Sequence, residues 1–146
     1  MLLWRISNYA DLSDLGGLRF SARWHSRGRP IVYAGEHPSA ALTEMLVHAA
    51  REDLPETCQM LTIELDDAAS VETIATASLP ADWASNQAAT RAVGDKWLAE
   101  ARSLALRVPS VILPDVWHVL LNPAHPEAAG MQVVRSDRPR VDPRFF

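Results

Sequence analysis

Apolar residues in this chain come mostly as short runs bounded by glycine, proline and charged turns, and only two stretches carry them at helical spacing. That imbalance constrains the fold more than any other feature. "LLWRIS" reads as a first strand. "LRFSARW" alternates strictly, with Leu18, Phe20, Ala22 and Trp24 on one face and Arg19, Ser21 and Arg23 on the other, the period of a half-buried strand. "HSRGRP" is a turn and "IVYAG" a second strand, so the two predict a hairpin whose polar face carries arginines. "QMLTIELD", "SVETI", the proline-bent "LRVPSVILP", "VWHVLLNPAHP" and "MQVVRS" complete the strands, and "RPRVDPRFF" is an irregular tail.

Residues 37–53, "HPSAALTEMLVHAARED", are the clearest helix. Pro38 suits a first helical position, and Leu42, Met45, Leu46 and Ala49 form an apolar stripe. Glu44 stands ~160° around the helix from Leu42, off that stripe. A second helix runs through "GDKWLAEARSLA", with Trp97, Leu98 and Ala101 on one side. Strands mixed with two main helices, lacking the βαβα rhythm of a doubly wound fold, predict an α+β domain over residues 1–146. Its central sheet is mixed or mostly antiparallel, with flanking helices.

The 146 residues suffice for one domain with a genuine core. Fourteen basic against 18 acidic residues leave a net charge of −4, which argues against bulk attraction to nucleic acid or an anionic membrane. Thirteen of the bases are arginines and only Lys96 is a lysine. Arginine's planar fork suits phosphate and carboxylate, although arginine-rich codon usage explains the same bias. One cysteine, Cys58, excludes an internal disulfide and reads as structural. The N-terminal segment reaches Arg5 after too few apolar residues for a secretory signal, and no run is long enough to span a membrane, so a cytoplasmic location is expected.

Familiar site motifs are absent: there is no G-x-G-x-x-G, Walker loop, H-E-x-x-H or paired C-x-x-C. His25, His37, His48, His118 and His125 fall at no metal-ligand spacing, so no metal site is expected. On the expected hairpin Arg19 and Arg23 would stand about 13 Å apart, four rises of ~3.3 Å. They form either a solvated edge or an anion site, with Arg5 adding a third guanidinium from a neighbouring strand. Tyr33 is either a core ring or a platform for a flat ligand. Glu44 either pairs with His48 one turn on or faces the arginines. Ser110 is a hydroxyl inside an apolar strand, and Asn122 before proline opens a turn.

Taken in order, an N-terminal arginine, "ARWHSRGRPIVYAGEHPSAALTEMLVH", "VPSVILP", "LLNPAHP" and "DPRFF" resemble the RES-domain family, the toxins of Xre/RES toxin–antitoxin pairs. The resemblance covers nearly the whole chain, residues 66–95 excepted. It assigns the family's arginine, glutamate and serine to Arg23, Glu44 and Ser110, its tyrosine to Tyr33, and accompanying positions to Arg5 and Asn122. His25 and His118 depart from it, each standing where an asparagine is expected. The resemblance implies a fold like that of diphtheria-toxin-type ADP-ribosylating enzymes. It also implies destruction of NAD⁺ as substrate, without a cofactor, by hydrolysis or by phosphorolysis with phosphate as co-substrate. Protein ADP-ribosylation is the alternative, and an inert antitoxin-binding module a third, against which the intact residue set argues. The implied partner is an Xre-like helix-turn-helix antitoxin that occludes the active site and supplies any DNA contact; a homodimer within that complex is compatible with the resemblance.

Overall fold

The structure, a computed structural model, describes residues 1–12, 15–48 and 56–145. Among the described residues, ten α-helices and β-strands carry the fold. They are β1 (Leu2–Ser7), α1 (Leu15–Arg19), β2 (Val32–Gly35), α2 (Pro38–His48), β3 (Gln59–Glu64), β4 (Val71–Thr73), α3 (Gln87–Glu100), β5 (Ala105–Pro109), β6 (Trp117–Leu121) and β7 (Gln132–Asp137). The strands form one mixed sheet in the order β4-β5-β6-β2-β1-β3-β7. Only β4 and β5 run parallel; every other pair is antiparallel. This is the α+β architecture that the short apolar runs predict.

Strand alternation gives the sheet two buried faces. Leu3, Val32, Ala34, Ile63, Ala105, Val119 and Leu121 make one cluster with Leu65 and Leu104. Leu106, Val108 and Leu120 pack on the other face with Trp24, Ile31, Trp97 and Leu98. Each of these large side chains contributes about 1.5–3 kcal/mol by leaving water. Among the described residues no helix is long and apolar enough to cross a membrane.

The expected hairpin does not form. Leu18 and Phe20 are exposed and only Trp24 of the alternating set is fully buried. Residues 15–19 turn as α1, and Ala22 and His25 close a tight turn through Ala22 N–H donating to the His25 carbonyl at 3.0 Å. The carbonyls that a hairpin ladder would use are taken by helix α3 instead, Ala22's by Arg91 and Arg23's by Thr90. Arg19 and Arg23 therefore share no strand face.

Two further boundaries shift. The second helix begins at Gln87, seven residues before "GDKW", where the Asn86 side chain accepts from Ala89 N–H at 3.1 Å. It ends because Ala101 turns left-handed (φ 46°). β5 stops at Pro109, so Ser110 opens a turn rather than sitting inside a strand. Residues 49–53 of the expected first helix lie outside the described residues. Cys58 is buried with Sγ 4.0 Å from Met45 Sδ, and burial pushes its thiol pKa up, as suits a packing role.

Gly94 sets how closely α3 approaches the segment before β2. A Cβ there would stand 1.6 Å from the Trp24 carbonyl oxygen. Alanine would gain about 1 kcal/mol of helix propensity, but a backbone collision costs more than that. Gly94→Ala is expected to destabilise the protein by about 2 kcal/mol. A urea-unfolding midpoint equal to or above wild type would show that the contact does not limit the packing.

Candidate active site

β1 runs along β3 for its whole length and β2 runs along β6, but β1 and β2 pair only at Trp4 with Gly35. Beyond that point the strands part, and Arg5 fills the gap: its Nη1 donates to the Tyr33 carbonyl at 2.9 Å. Its Nε is buried with no hydrogen-bond partner. Burial lowers the Arg5 pKa, yet guanidinium starts so basic that it stays charged. Among the described residues no carboxylate lies within ion-pair distance of it. A half-buried cation so placed favours an anion beside it.

The split opens into a cleft of about 720 Å³ whose lining includes Trp4, Arg5, Arg23, Tyr33, Glu44, Arg91 and His118. That volume lies within the range of small-molecule sites. Gly35 lets α2 start close against β2, since a Cβ there would meet Ala40 Cβ at 3.0 Å and Ala41 N at 3.1 Å. Ala41, Glu44 and Met45 then share the helix face that lines the cleft. Glu44 Oε2 lies 3.5 Å from His118 Nε2 on β6. The alternative pairing of Glu44 with His48 lies outside the described side chains.

Arg23 is held by helix α3 rather than by a strand. Thr90 Oγ1 donates to the Arg23 carbonyl at 2.6 Å, and Arg91 Nε donates to the Ala22 carbonyl at 2.8 Å. Asp95 accepts from Ser26 N–H at 2.8 Å and from Ser26 Oγ at 2.6 Å. The Arg23 guanidinium itself donates to the Ala84 carbonyl at 2.9 Å. Arg91 brings another guanidinium to the cleft, its Nη2 donating to Gln87 Oε1 at 2.9 Å. Sequence reasoning missed Arg91. The signal available was Gly94 in mid-helix, a mark of close backbone approach, with Thr90, Arg91 and Asp95 on the same helical face.

Ser110 is buried on the segment whose neighbours Pro109, Val111 and Ile112 line the cleft. Its Oγ accepts from Ile112 N–H at 3.1 Å and Leu113 N–H at 3.4 Å, which shapes that turn. Asn122 is not in the cleft lining. It lies four residues beyond His118, about 13 Å along the strand direction, and is 1% exposed. Its Oδ1 accepts from Ala124 N–H at 3.0 Å and its own N–H donates to the Leu104 carbonyl at 2.9 Å. Asn122 thus shapes the turn after β6. His25 lies outside the lining too, buried and hydrogen-bonded to the Tyr33 hydroxyl, whereas His118 lines the cleft.

A family model described as the RES domain matches residues 2–142. The chain is 45% identical to "Toxin Res" of Pseudomonas putida over 94% of each chain. It is 34% identical to the "Prs ADP-ribosylating toxin" of a Sphingobium species, over 98% of this chain and 95% of that one. Its fold is similar to that of a chain in the M. tuberculosis MbcT–MbcA toxin–antitoxin complex, with a TM-score of 0.73 at 18% identity, covering 92% of this chain and 81% of that one.

Burial holds the His118 pKa below its ordinary 6.5, against the pull of Glu44 in the other direction. The unfolded chain therefore takes up this proton at higher pH than the fold does. The resulting stability is present above pH 6.5 and is lost as pH falls through the folded value. His118→Asn is expected to flatten the decline in urea midpoint between about pH 7 and pH 5. Parallel declines in wild type and variant would mean that His118 binds its proton equally well in both states.

Proposed function

The chain belongs to the RES-domain family, and on that premise we propose that it is the toxin of a toxin–antitoxin pair and cleaves the nicotinamide–ribose bond of NAD⁺. The observation that carries this reading is the convergence, in one cleft, of guanidinium groups, a tyrosine ring and a carboxylate. The chemistry of NAD⁺ asks for that combination. Its pyrophosphate takes charge-assisted hydrogen bonds from arginine forks, here Arg23 with Arg91. Its flat cationic nicotinamide stacks on an aromatic face, here Tyr33. Its ribose needs a carboxylate as the bond breaks, here Glu44.

In the reaction the C1′–N bond breaks and its electron pair leaves with nicotinamide, which becomes neutral. Positive charge moves to the ribose as an oxocarbenium-like transition state, and Glu44 stabilises it electrostatically. An oxygen of water or phosphate then bonds to C1′; water gives up a proton in doing so. Arg5, cationic and without a carboxylate partner among the described residues, suits a phosphate acceptor. Ser110 is not itself in the cleft lining, and in this reading it acts through the turn that sets Val111 and Ile112 against the ligand. Asn122 supports this arrangement only through the turn after β6. The partner in this reading is an Xre-like antitoxin that covers the cleft, in keeping with a fold similar to a chain from a toxin–antitoxin complex.

The similarity to an ADP-ribosylating toxin favours one second reading, transfer of ADP-ribose to a protein. Purified protein freed of any partner, incubated with NAD⁺ with and without phosphate, separates the cases by product mass. Phosphorylated ADP-ribose appearing only with phosphate identifies a phosphorylase, and ADP-ribose in both buffers a hydrolase. Label retained on a macromolecule identifies a transferase. Glu44→Gln is expected to slow nicotinamide release by about 10²-fold or more. Undiminished release would remove Glu44 from the mechanism.

A further inference from the structure

Tyr33 lines the cleft, and the partner of its hydroxyl decides what the side chain can offer there. His25 is 2% exposed and its ring centroid is 5.6 Å from that of Tyr33, tilted by 51°. Its Nε2 lies 3.3 Å from the Gly17 carbonyl. A carbonyl only accepts, so in the neutral imidazole Nε2 carries the proton and Nδ1 the lone pair. Nδ1 lies 2.7 Å from the Tyr33 hydroxyl, and Tyr33 is therefore the donor of that hydrogen bond. Burial, opposed by a backbone hydrogen bond from Trp24, pushes the Tyr33 pKa well above the ordinary phenol range. The proton stays on the phenol and points at His25.

The anchor of this relay is itself fixed. Gly17 packs so tightly that a Cβ would stand 2.7 Å from both the Arg29 carbonyl oxygen and Ile31 Cγ2. The same Gly17 carbonyl also accepts from Gly28 N–H at 3.2 Å. The chain of contacts thus runs from α1 through His25 and reaches the cleft only at Tyr33.

We infer that His25 is a positioning residue: it draws the Tyr33 hydroxyl proton inward and commits Tyr33 to present its ring face, not a hydrogen-bond donor, to the ligand. The inference rests on the proposed function for the ligand's identity, NAD⁺, but the hydrogen bond itself does not. Removing the acceptor leaves the hydroxyl proton of the half-buried Tyr33 unsatisfied, at a cost that re-aims the ring. Asparagine restores an acceptor close to the position of Nδ1.

The test is a double-mutant cycle on nicotinamide release. His25→Leu is expected to raise KM for NAD⁺ about tenfold with kcat changed far less, and His25→Asn to recover most of that loss. In a Tyr33→Phe background, where no hydroxyl needs an acceptor, His25→Leu should change KM less than about twofold. An equal rise in both backgrounds, or no recovery by His25→Asn, would overturn the inference. Independently, a long-range ¹H–¹⁵N spectrum of the wild type should show the His25 proton on Nε2; a proton on Nδ1 of the neutral ring would also overturn it. If wild type released no nicotinamide, the proposed function would fail, and the nitrogen spectrum would decide for or against His25.

Discussion

The parting of β1 from β2 governs the rest of the molecule. Two strands that continued side by side would satisfy their backbone groups and close the sheet. Here they share one pair and then diverge, and the Arg5 guanidinium occupies the opening, donating to the Tyr33 carbonyl. Half-burying a cation that has no carboxylate partner among the described residues costs folding free energy, so this arrangement is a poor choice for stability alone. It makes sense where an anion is to be received.

The cleft's second wall depends on helix α3. Thr90, Arg91 and Asp95 each bond the segment from Ala22 to Ser26, while Gly94 removes the side chain that would hold the two apart. An irregular loop acquires the rigidity of a strand by being tied at several backbone positions to one helical face. Pre-organisation of that kind is what a site acting on charge needs, because its dipoles and cations are then in place before the ligand arrives.

Much of this was legible from sequence, and the exceptions have physical causes. β1, β3, β4 and β7 follow from runs whose alternation or apolarity is local, and α2 from Pro38 and its spacing. The strand expected over residues 18–24 fails although its alternation is strict, because helix α3, distant in sequence, takes the Ala22 and Arg23 carbonyls. Arg5, Arg23, Tyr33 and Glu44 line one cleft, but their grouping came from resemblance to a family; periodicity could not say that a turn, a strand split and a helix converge. Arg91 went unseen because its role depends on contact with Ala22, 69 residues away. Asn122, placed by the same resemblance, lies outside the cleft lining, in the turn that follows β6.

The strand order also bears on when the cleft comes into being during synthesis. Tyr33 lies on β2, which needs β6 as its outer neighbour, and β6 is Trp117–Leu121. His118 arrives on that same strand, and helix α3, which fixes Arg23, precedes it by only a short stretch. Contacts this distant form late, since the loop between them must first be closed. A ribosome must therefore have released most of the chain before any cleft exists, and a truncated translation product carries Arg5, Tyr33 and Glu44 without the wall that unites them.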